Sequence, residues 1–195
     1  LTYNLLQRDR RRFDMNEFPN RNSADVAIVD PATGQRVPAG TTGEIVVRGD
    51  GVTPGYWDGA YTRMPALYDG GWQPTGDLGF VDDDGALHFL GRRDLMIKTG
   101  GENVYPAEVE AVLLALPAVA DAVVVGLPDD RLGQRVAALV VRASPELTPS
   151  AIDQACRAAL GGFKIPRTIA FTDALPRLGT QKVDLAACRA LLMRG

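Results

Sequence analysis

Three short segments of the sequence combine flexible backbone with a charged side chain, and these segments could perform chemistry. They are residues 71–77, 91–106 and 179–184, and each sets glycine close to an aspartate, an arginine or a lysine. Asp77, on a Thr-Gly turn, could accept hydrogen bonds from two neighbouring hydroxyls, as a ribose diol presents them. Taken alone, the same carboxylate is better interpreted as a cap of its own turn.

Two further positions are ambiguous when only residue type is considered. Gly100 and Gly101 permit positive φ and carry no Cβ, so another backbone or a thin ligand could lie against them. A plain strand-to-helix turn explains one such glycine better than two. Lys182 follows a Gly-Thr-Gln loop, from which its ammonium could reach a phosphate or a developing oxyanion; a solvated surface lysine is the alternative.

Composition restricts the class of protein. The 195 residues are 46% hydrophobic and 23% charged, which is typical of a folded protein and excludes collagen-like, coiled-coil and disordered chains. A net charge of −3 argues against nucleic acid as the main partner, and we interpret the arginines at positions 8 and 10–12 as a solvated segment. The longest apolar run, 118–127, is too short to cross a membrane, so no transmembrane segment is expected.

Other chemistries lack the residues they need. His88 is the only histidine and alternates with Leu87 and Phe89, which indicates the polar face of a hairpin rather than a general base. Cys156 and Cys188 lie far apart among alanines and leucines, so we expect buried thiols, no metal site and a reducing, cytoplasmic location. The turn at residues 39–43 lacks a following lysine and leads into a strand, which favours a hairpin over a phosphate loop.

The elements that must position these residues change character along the chain. Short alternating segments predict strands at 24–30, 44–48, 78–81 and 86–90, with turns at 30–34 and 82–85. Strand and helix then alternate: strands are expected at 95–98, 119–125 and 136–141, and helices after Tyr105, Thr148 and Asp184. Residues 163–171 are expected to lead into another strand. The first of these helices has an apolar stripe. It comprises Val109, Val112, Leu113 and Leu116. The predicted class is α+β, with domains at 1–91 and 92–195.

In their order and spacing, these segments resemble the C-terminal half of the adenylate-forming superfamily, which includes acyl-CoA synthetases, aryl-CoA ligases and peptide-synthetase adenylation domains. The resemblance extends from residue 26 to residue 192 and includes 43–49, 55–57 and 175–177. It implies that residues 1–91 are the β-rich end of a large N-terminal domain. Residues 92–195 would then be the small, mobile α+β domain that follows it.

The resemblance also implies a role for individual residues. Asp77 would hold the ATP ribose, Arg92 would contact the nucleotide, and Asp94 would be the hinge between the domains. Lys182 would be the catalytic lysine of adenylation.

Other implied roles concern coenzyme A. The turn at Gly100 and Gly101 would line the pantetheine tunnel during thioester formation, and Phe163 and Arg167 match positions where some relatives contact the CoA nucleotide. Gln181 departs from the family pattern, because a glycine usually precedes the lysine.

The implied function is that of an ATP-dependent acyl-CoA synthetase, acting on a carboxylic acid, ATP and CoA with Mg²⁺. Residues 99–106 resemble the CoA-ligase version of this segment. A domain that loads a carrier protein and a non-catalytic interaction module are the alternatives. Family members are more than twice as long, and their N-terminal domain supplies the phosphate loop, the acid pocket and the glutamate associated with Mg²⁺. We therefore expect this chain to be inactive alone; its acid and its oligomeric state are open.

Overall fold

The computed structural model of the chain describes residues 13–14, 25–53, 55–56, 62–63 and 68–194. The basic cluster at 8–12 and Trp57 of the 55–57 motif lie outside the described residues. The chain forms two compact units, Leu1–Asp94 and Leu95–Gly195.

The first unit contains a five-stranded antiparallel sheet with strand order β1-β7-β6-β3-β2 and a separate hairpin, β4-β5. Its strands are β1 (Phe13–Asp14), β2 (Asp25–Val29), β3 (Gly43–Arg48), β4 (Gly55–Tyr56), β5 (Thr62–Arg63), β6 (Gln73–Val81) and β7 (Ala86–Arg92). The predicted β-rich first half is confirmed. However, β6 begins at Gln73 rather than at residue 78, so most of the 71–77 segment belongs to a strand.

The turns of this unit form as their residue types predict. The Asp30 carboxylate accepts hydrogen bonds from the backbone N–H groups of Ala32 and Thr33 at 2.8 and 2.9 Å, which fixes the first turn. Asp82 caps the turn between β6 and β7 in the same way, accepting from Ala86 N at 2.8 Å. Residues 39–43 complete the connection between antiparallel β2 and β3, as expected of a hairpin.

The second unit is built on one sheet, in which β11 is central. Its strands are β8 (Ile97–Thr99), β9 (Glu102–Val104), β10 (Val119–Asp129), β11 (Gly133–Arg142) and β12 (Thr168–Thr172). The order is β10-β11-β8-β9, and β12 pairs with β11 in parallel. The helices are α1 (Pro106–Leu114), α2 (Pro149–Ala159) and α3 (Leu185–Leu192). Thr148 and Asp184 cap α2 and α3 by accepting backbone N–H bonds, as predicted.

Alternation along the central strands creates a core on each face of this sheet. On β10, Val124 packs into the cluster with α1 and α2, whereas Val123 and Val125 pack into the cluster with α3. Each cluster also contains one cysteine, Cys156 on α2 and Cys188 on α3, and burial raises the pKa of both thiols. Mixed α+β architecture and buried thiols are both confirmed.

The stripe on α1 is shorter than predicted. Val109 and Leu113 are fully buried, but the helix ends at Leu114 and Leu116 packs against the core from the turn that follows. Across the described part of the chain, no helix combines the length and apolar character needed to span a membrane.

Candidate functional site

Asp77 is a partly buried residue, and its Oδ1 is a buried acceptor atom without a hydrogen-bond donor. It pairs with Arg92 across β6 and β7, and its Oδ1 lies 3.6 Å from Arg92 Nη1, which is an ion-pair distance but too long for a hydrogen bond. That oxygen accepts no hydrogen bond from any residue that the structure describes. Burial raises the pKa of Asp77, and the Arg92 charge partly opposes this increase. The site therefore has capacity for a hydrogen-bond donor.

The turn that carries Asp77 is held on both sides. The Thr75 hydroxyl donates to the Ile45 carbonyl at 2.8 Å and accepts from Asp77 N at 3.0 Å. Gly76 has φ of 76°, and a Cβ there would lie 3.1 Å from the Arg92 guanidinium. The left-handed backbone favours glycine at position 76, and a side chain there would also displace the arginine that lies over it.

Arg92 connects this turn to the end of the unit. Its Nη1 donates to the Thr75 carbonyl at 3.3 Å, and its Nε donates to Asp94 Oδ1 at 3.2 Å. Asp94 lies in the short 3₁₀ helix Arg93–Leu95, directly after β7, and its side chain is 69% exposed. The structure therefore brings Asp77, Arg92 and Asp94 together.

Another carboxylate next to this turn, Glu44, was not singled out by the sequence. It is fully buried on β3 and accepts hydrogen bonds from Tyr68 Oη at 3.1 Å, Gly76 N at 3.2 Å and Arg93 Nη1 at 2.9 Å. Contact with Glu44 and burial raise the pKa of Tyr68, with burial the larger cause. Glu44 thus supports the Asp77 turn from behind and ties it to the residue that follows Arg92.

His88 lies on β7, half-buried, as the sequence predicts. Its Nε2 lies 2.7 Å from Asp82 Oδ2, and its ring stacks on Phe80 with centroids 4.6 Å apart. This contact links the histidine to the adjacent turn and gives it a structural role.

In the second unit, Gly100 and Gly101 form a two-residue hairpin loop between β8 and β9, with Thr99 paired to Glu102. Their φ values are 59° and 88°, so the loop requires left-handed backbone at both positions, as a type I′ turn does. The sequence predicted that this turn leads from a strand into a helix; instead a second strand, β9, precedes α1, and the hairpin geometry explains both glycines. A Cβ on Gly100 would lie 3.2 Å from Leu132 Cδ2, whereas one on Gly101 would meet no described atom within 4 Å.

Phe163 lies near this hairpin. It belongs to the 3₁₀ helix Gly162–Lys164, which packs beside β9, and it is 40% exposed. Lys164 anchors the turn through a 2.6 Å ion pair with Glu108 on α1. Arg167 is exposed, and its backbone N donates to the Val136 carbonyl at 2.8 Å.

Lys182 lies on a separate, exposed hairpin. Arg177 and Val183 form a bridge, Leu178 N donates to the Lys182 carbonyl at 2.8 Å, and Gln181 N donates to the Leu178 carbonyl at 2.8 Å. This pattern is a turn followed by a bulge residue in the left-handed region, a position that glycine usually occupies. Gln181 occupies it here, with φ of 65°.

The candidate residues therefore form three groups. Asp77, Arg92 and Asp94 lie together in the first unit, whereas the glycine hairpin with Phe163 and the lysine hairpin lie in the second. Within the described residues, no group of three histidine, cysteine, aspartate or glutamate side chains could hold a metal ion.

Comparison with known proteins defines the class. The model of the AMP-binding enzyme C-terminal domain matches residues 108–182, and the model of the AMP-binding enzyme matches residues 6–57. The chain belongs to the AMP-binding, or adenylate-forming, enzyme superfamily.

Individual relatives narrow the comparison. The chain is 46% identical over 156 residues to a 2-succinylbenzoate–CoA ligase of Bacillus cereus (strain Q1), a match that covers 80% of this chain and 32% of the relative. The structure of this chain is similar to that of ATP-bound MatB from Rhodopseudomonas palustris, with a TM-score of 0.77 and 35% identity. The match covers 87% of this chain and 34% of the MatB chain.

A third relative is o-succinylbenzoate CoA synthetase (MenE) from Bacillus subtilis, determined in complex with the acyl-adenylate intermediate OSB-AMP. The TM-score is 0.73 at 38% identity, with 83% of this chain and 32% of that chain covered. The chain thus spans about a third of the length of the relatives it matches.

Proposed function

We propose that these residues are the C-terminal part of an ATP-dependent acyl-CoA ligase. A carboxylate attacks the α-phosphate of ATP, forming acyl-adenylate and releasing pyrophosphate. The CoA thiol then attacks the acyl carbon, giving the thioester and AMP. In this proposal residues 1–91 complete the large domain, and residues 92–195 form the mobile domain.

The unused acceptor on Asp77 is the observation that carries the proposal. A buried polar atom without a donor is unfavourable in a folded protein, and such atoms occur where a ligand supplies the missing bond. The two hydroxyls of a ribose are suitable donors. Arg92, beside the same carboxylate, would contact the rest of the nucleotide.

The remaining roles divide between the two reaction steps. Lys182 would neutralise negative charge that develops between the attacking carboxylate and the α-phosphate. In the second step the Gly100–Gly101 hairpin would line the pantetheine tunnel, and the absence of side chains at the turn leaves room for a thin ligand. Phe163 and Arg167, both exposed, would contact the CoA nucleotide.

Residues on a mobile domain suit this chemistry, because each step needs different groups at one centre. Asp94, at the end of the first unit, would be the hinge. Mg²⁺ would accompany ATP, held by residues outside this chain. The CoA-ligase relatives favour CoA over a carrier protein as the acceptor of the acyl group. A non-catalytic interaction module is the alternative that would apply if the protein activates no acid.

The test is acid-dependent ATP–pyrophosphate exchange and acyl-CoA formation by the complete gene product. The acids are 2-succinylbenzoate and panels of aryl, dicarboxylic, fatty and amino acids. We expect one class of acid to support both reactions, and Asp77→Ala to raise the KM for ATP by roughly 10- to 100-fold, as expected for lost hydrogen bonds to a charged acceptor.

Asp83→Ala is the matched control, because Asp83 is an exposed aspartate in the next turn of the same unit. It should leave the KM unchanged. No exchange with any acid would support the non-catalytic alternative, and transfer to a carrier protein but not to CoA would support the loader.

A further inference from the structure

Arg177 makes two contacts that no role assigned above explains. Its Nη1 donates to the carbonyl of Gln181 at 3.0 Å, and its Nη2 forms a 2.9 Å ion pair with Asp121 on β10. The first acceptor belongs to the residue directly before Lys182. The second lies at the β10 bulge between Val119 and Asp121, on the central sheet of the unit. One guanidinium therefore joins the lysine hairpin to the rigid part of the fold.

The bond to Gln181 reaches the point of greatest backbone strain in this hairpin. Gln181 is the non-glycine residue with positive φ in the part of the chain that the structure describes. A side chain makes the left-handed conformation unfavourable, so it persists only where surrounding contacts enforce it. Arg177 supplies such a contact, because it binds the carbonyl whose direction depends on that conformation.

We infer that Arg177 is a positioning residue for Lys182: by holding the Gln181 carbonyl, it maintains the left-handed bulge from which the lysine extends. The inference rests on the proposed function for the role of Lys182. It adds that, because position 181 is glutamine and not glycine, the position of the lysine depends on the contact from this arginine. Asp121 keeps the guanidinium in place, and because both side chains are exposed, this ion pair contributes less than the bond to Gln181.

The experiment compares Arg177→Ala with the double variant Arg177→Ala/Gln181→Gly in the complete gene product. Arg177→Ala should slow acid-dependent pyrophosphate exchange, assayed with 2-succinylbenzoate and the panel acids, by roughly tenfold. Thioester formation from supplied acyl-adenylate and CoA should change less than twofold. The added Gln181→Gly should return exchange to within about threefold of wild type, since glycine adopts the bulge conformation without strain.

One further variant tests the ion pair between Arg177 and Asp121, and another is a control. Asp121→Asn removes only the ion pair to the sheet and should lower exchange at most threefold. Arg157→Ala is the matched control, because Arg157 is an exposed, ion-paired arginine on α2, away from the lysine hairpin, and it should leave exchange unchanged.

Lys182→Ala, measured in parallel, distinguishes a wrong role for Arg177 from a wrong role for Lys182. If Lys182→Ala slows exchange by on the order of 10²-fold or more and Arg177→Ala leaves exchange at the wild-type rate, the positioning role is wrong and the proposed function stands. If Lys182→Ala leaves exchange intact, the assigned role of the lysine fails and the inference fails with it. Equal loss in both half-reactions for Arg177→Ala, without rescue by glycine, would show a general structural role and overturn the inference.

Hydrogen exchange supplies a readout that does not depend on activity. The amides of Leu178 and Gln181 are bonded within the hairpin, so Arg177→Ala should accelerate their exchange in the complete gene product at least tenfold. Amides on β10 and β11 should keep their wild-type rates. Unchanged exchange at Leu178 and Gln181 would contradict the inference.

Discussion

The Asp77 turn and the Lys182 hairpin hold charged groups in contrasting ways. Asp77 lies in a strand, its turn is bonded to a fully buried glutamate, and an arginine covers its glycine. Lys182 lies on an exposed hairpin beside a residue with φ of 65°, held through one arginine that is itself 44% exposed. The first arrangement is fixed by burial and the second by a few surface contacts.

The difference matches what each group would do in the proposed reaction. A nucleotide is present in both steps as ATP, acyl-adenylate or AMP, so the residues that bind it benefit from a rigid site. A lysine needed for one step must arrive and leave, and a surface hairpin permits that movement without opening a core. Four substitutions test whether the Asp77 turn is rigid and the Lys182 hairpin mobile.

Lys182→Ala in the complete gene product should slow adenylation by on the order of 10²- to 10³-fold, the usual effect of removing one electrostatic stabiliser. Thioester formation from supplied acyl-adenylate should be nearly unchanged, and the melting temperature should hold because the side chain is exposed. Pyrophosphate exchange, a CoA-dependent assay and thermal unfolding provide the three measurements. An equal decrease in the rates of both steps would contradict the view that the Lys182 hairpin moves between steps while the Asp77 turn stays in place.

Asp94→Pro tests the proposed hinge, which follows the Asp77 turn and precedes the unit that carries Lys182. Proline fixes φ and disfavours the helical conformation of the preceding Arg93, so it should separate the half-reactions, with thioester formation slowed by on the order of 10²-fold. Asp94→Ala keeps the backbone free to rotate and is the control. Wild-type rates for both steps in Asp94→Pro would show that the hinge lies elsewhere.

Glu44→Gln tests the rigidity of the first unit. Loss of the charge weakens the bond to Arg93, but Arg93 is half-exposed and can be hydrated, so we expect unfolding free energy to decrease by about 1–2 kcal/mol. Chemical denaturation measures it. Tyr68→Phe removes one neutral hydrogen bond to the same carboxylate and should cost about 1 kcal/mol or less. A Glu44→Gln protein as stable as wild type would contradict the rigid description of this site.

Asp77→Asn should stabilise the protein slightly at neutral pH, by about 1 kcal/mol or less, while weakening nucleotide binding. Because burial raises the folded-state pKa of Asp77, the wild-type protein loses stability as pH rises from below 3.8 through that folded pKa. The stability advantage of the variant should therefore increase over the same pH window. Denaturation curves at pH 3 and pH 7 measure this; an advantage that decreases with pH would show that Arg92 outweighs burial.

Local sequence patterns predicted much of this fold because their causes are local. Asp30, Asp82, Thr148 and Asp184 form the turns and caps that their types indicate, since each bonds to backbone within four residues. Continuous runs of β-branched residues predicted β10 and β11, and the runs are continuous because side chains of opposite parity enter separate cores. The end of α1 was missed, because Leu116 reaches the same core from a turn.

Glu44 shows why part of the site could not be predicted. In the sequence it is one polar residue in an apolar strand, and its three partners lie 24, 32 and 49 residues away. Only the folded sheet brings them together. Gln181 shows an intermediate case: the sequence identifies the departure from glycine, but only the backbone shows that glutamine adopts the conformation that glycine favours.

The two cores of the second unit give its thiols a diagnostic use. Cys156 lies in the layer of α1 and α2 and Cys188 in the layer of α3, with the sheet between them. A disulfide requires Cα atoms within about 7 Å, which this separation prevents while the sheet is intact. An intramolecular disulfide in an oxidised sample would therefore be a mark of chains that had unfolded, whereas thiol reagents reaching one cysteine alone would report the opening of a single layer.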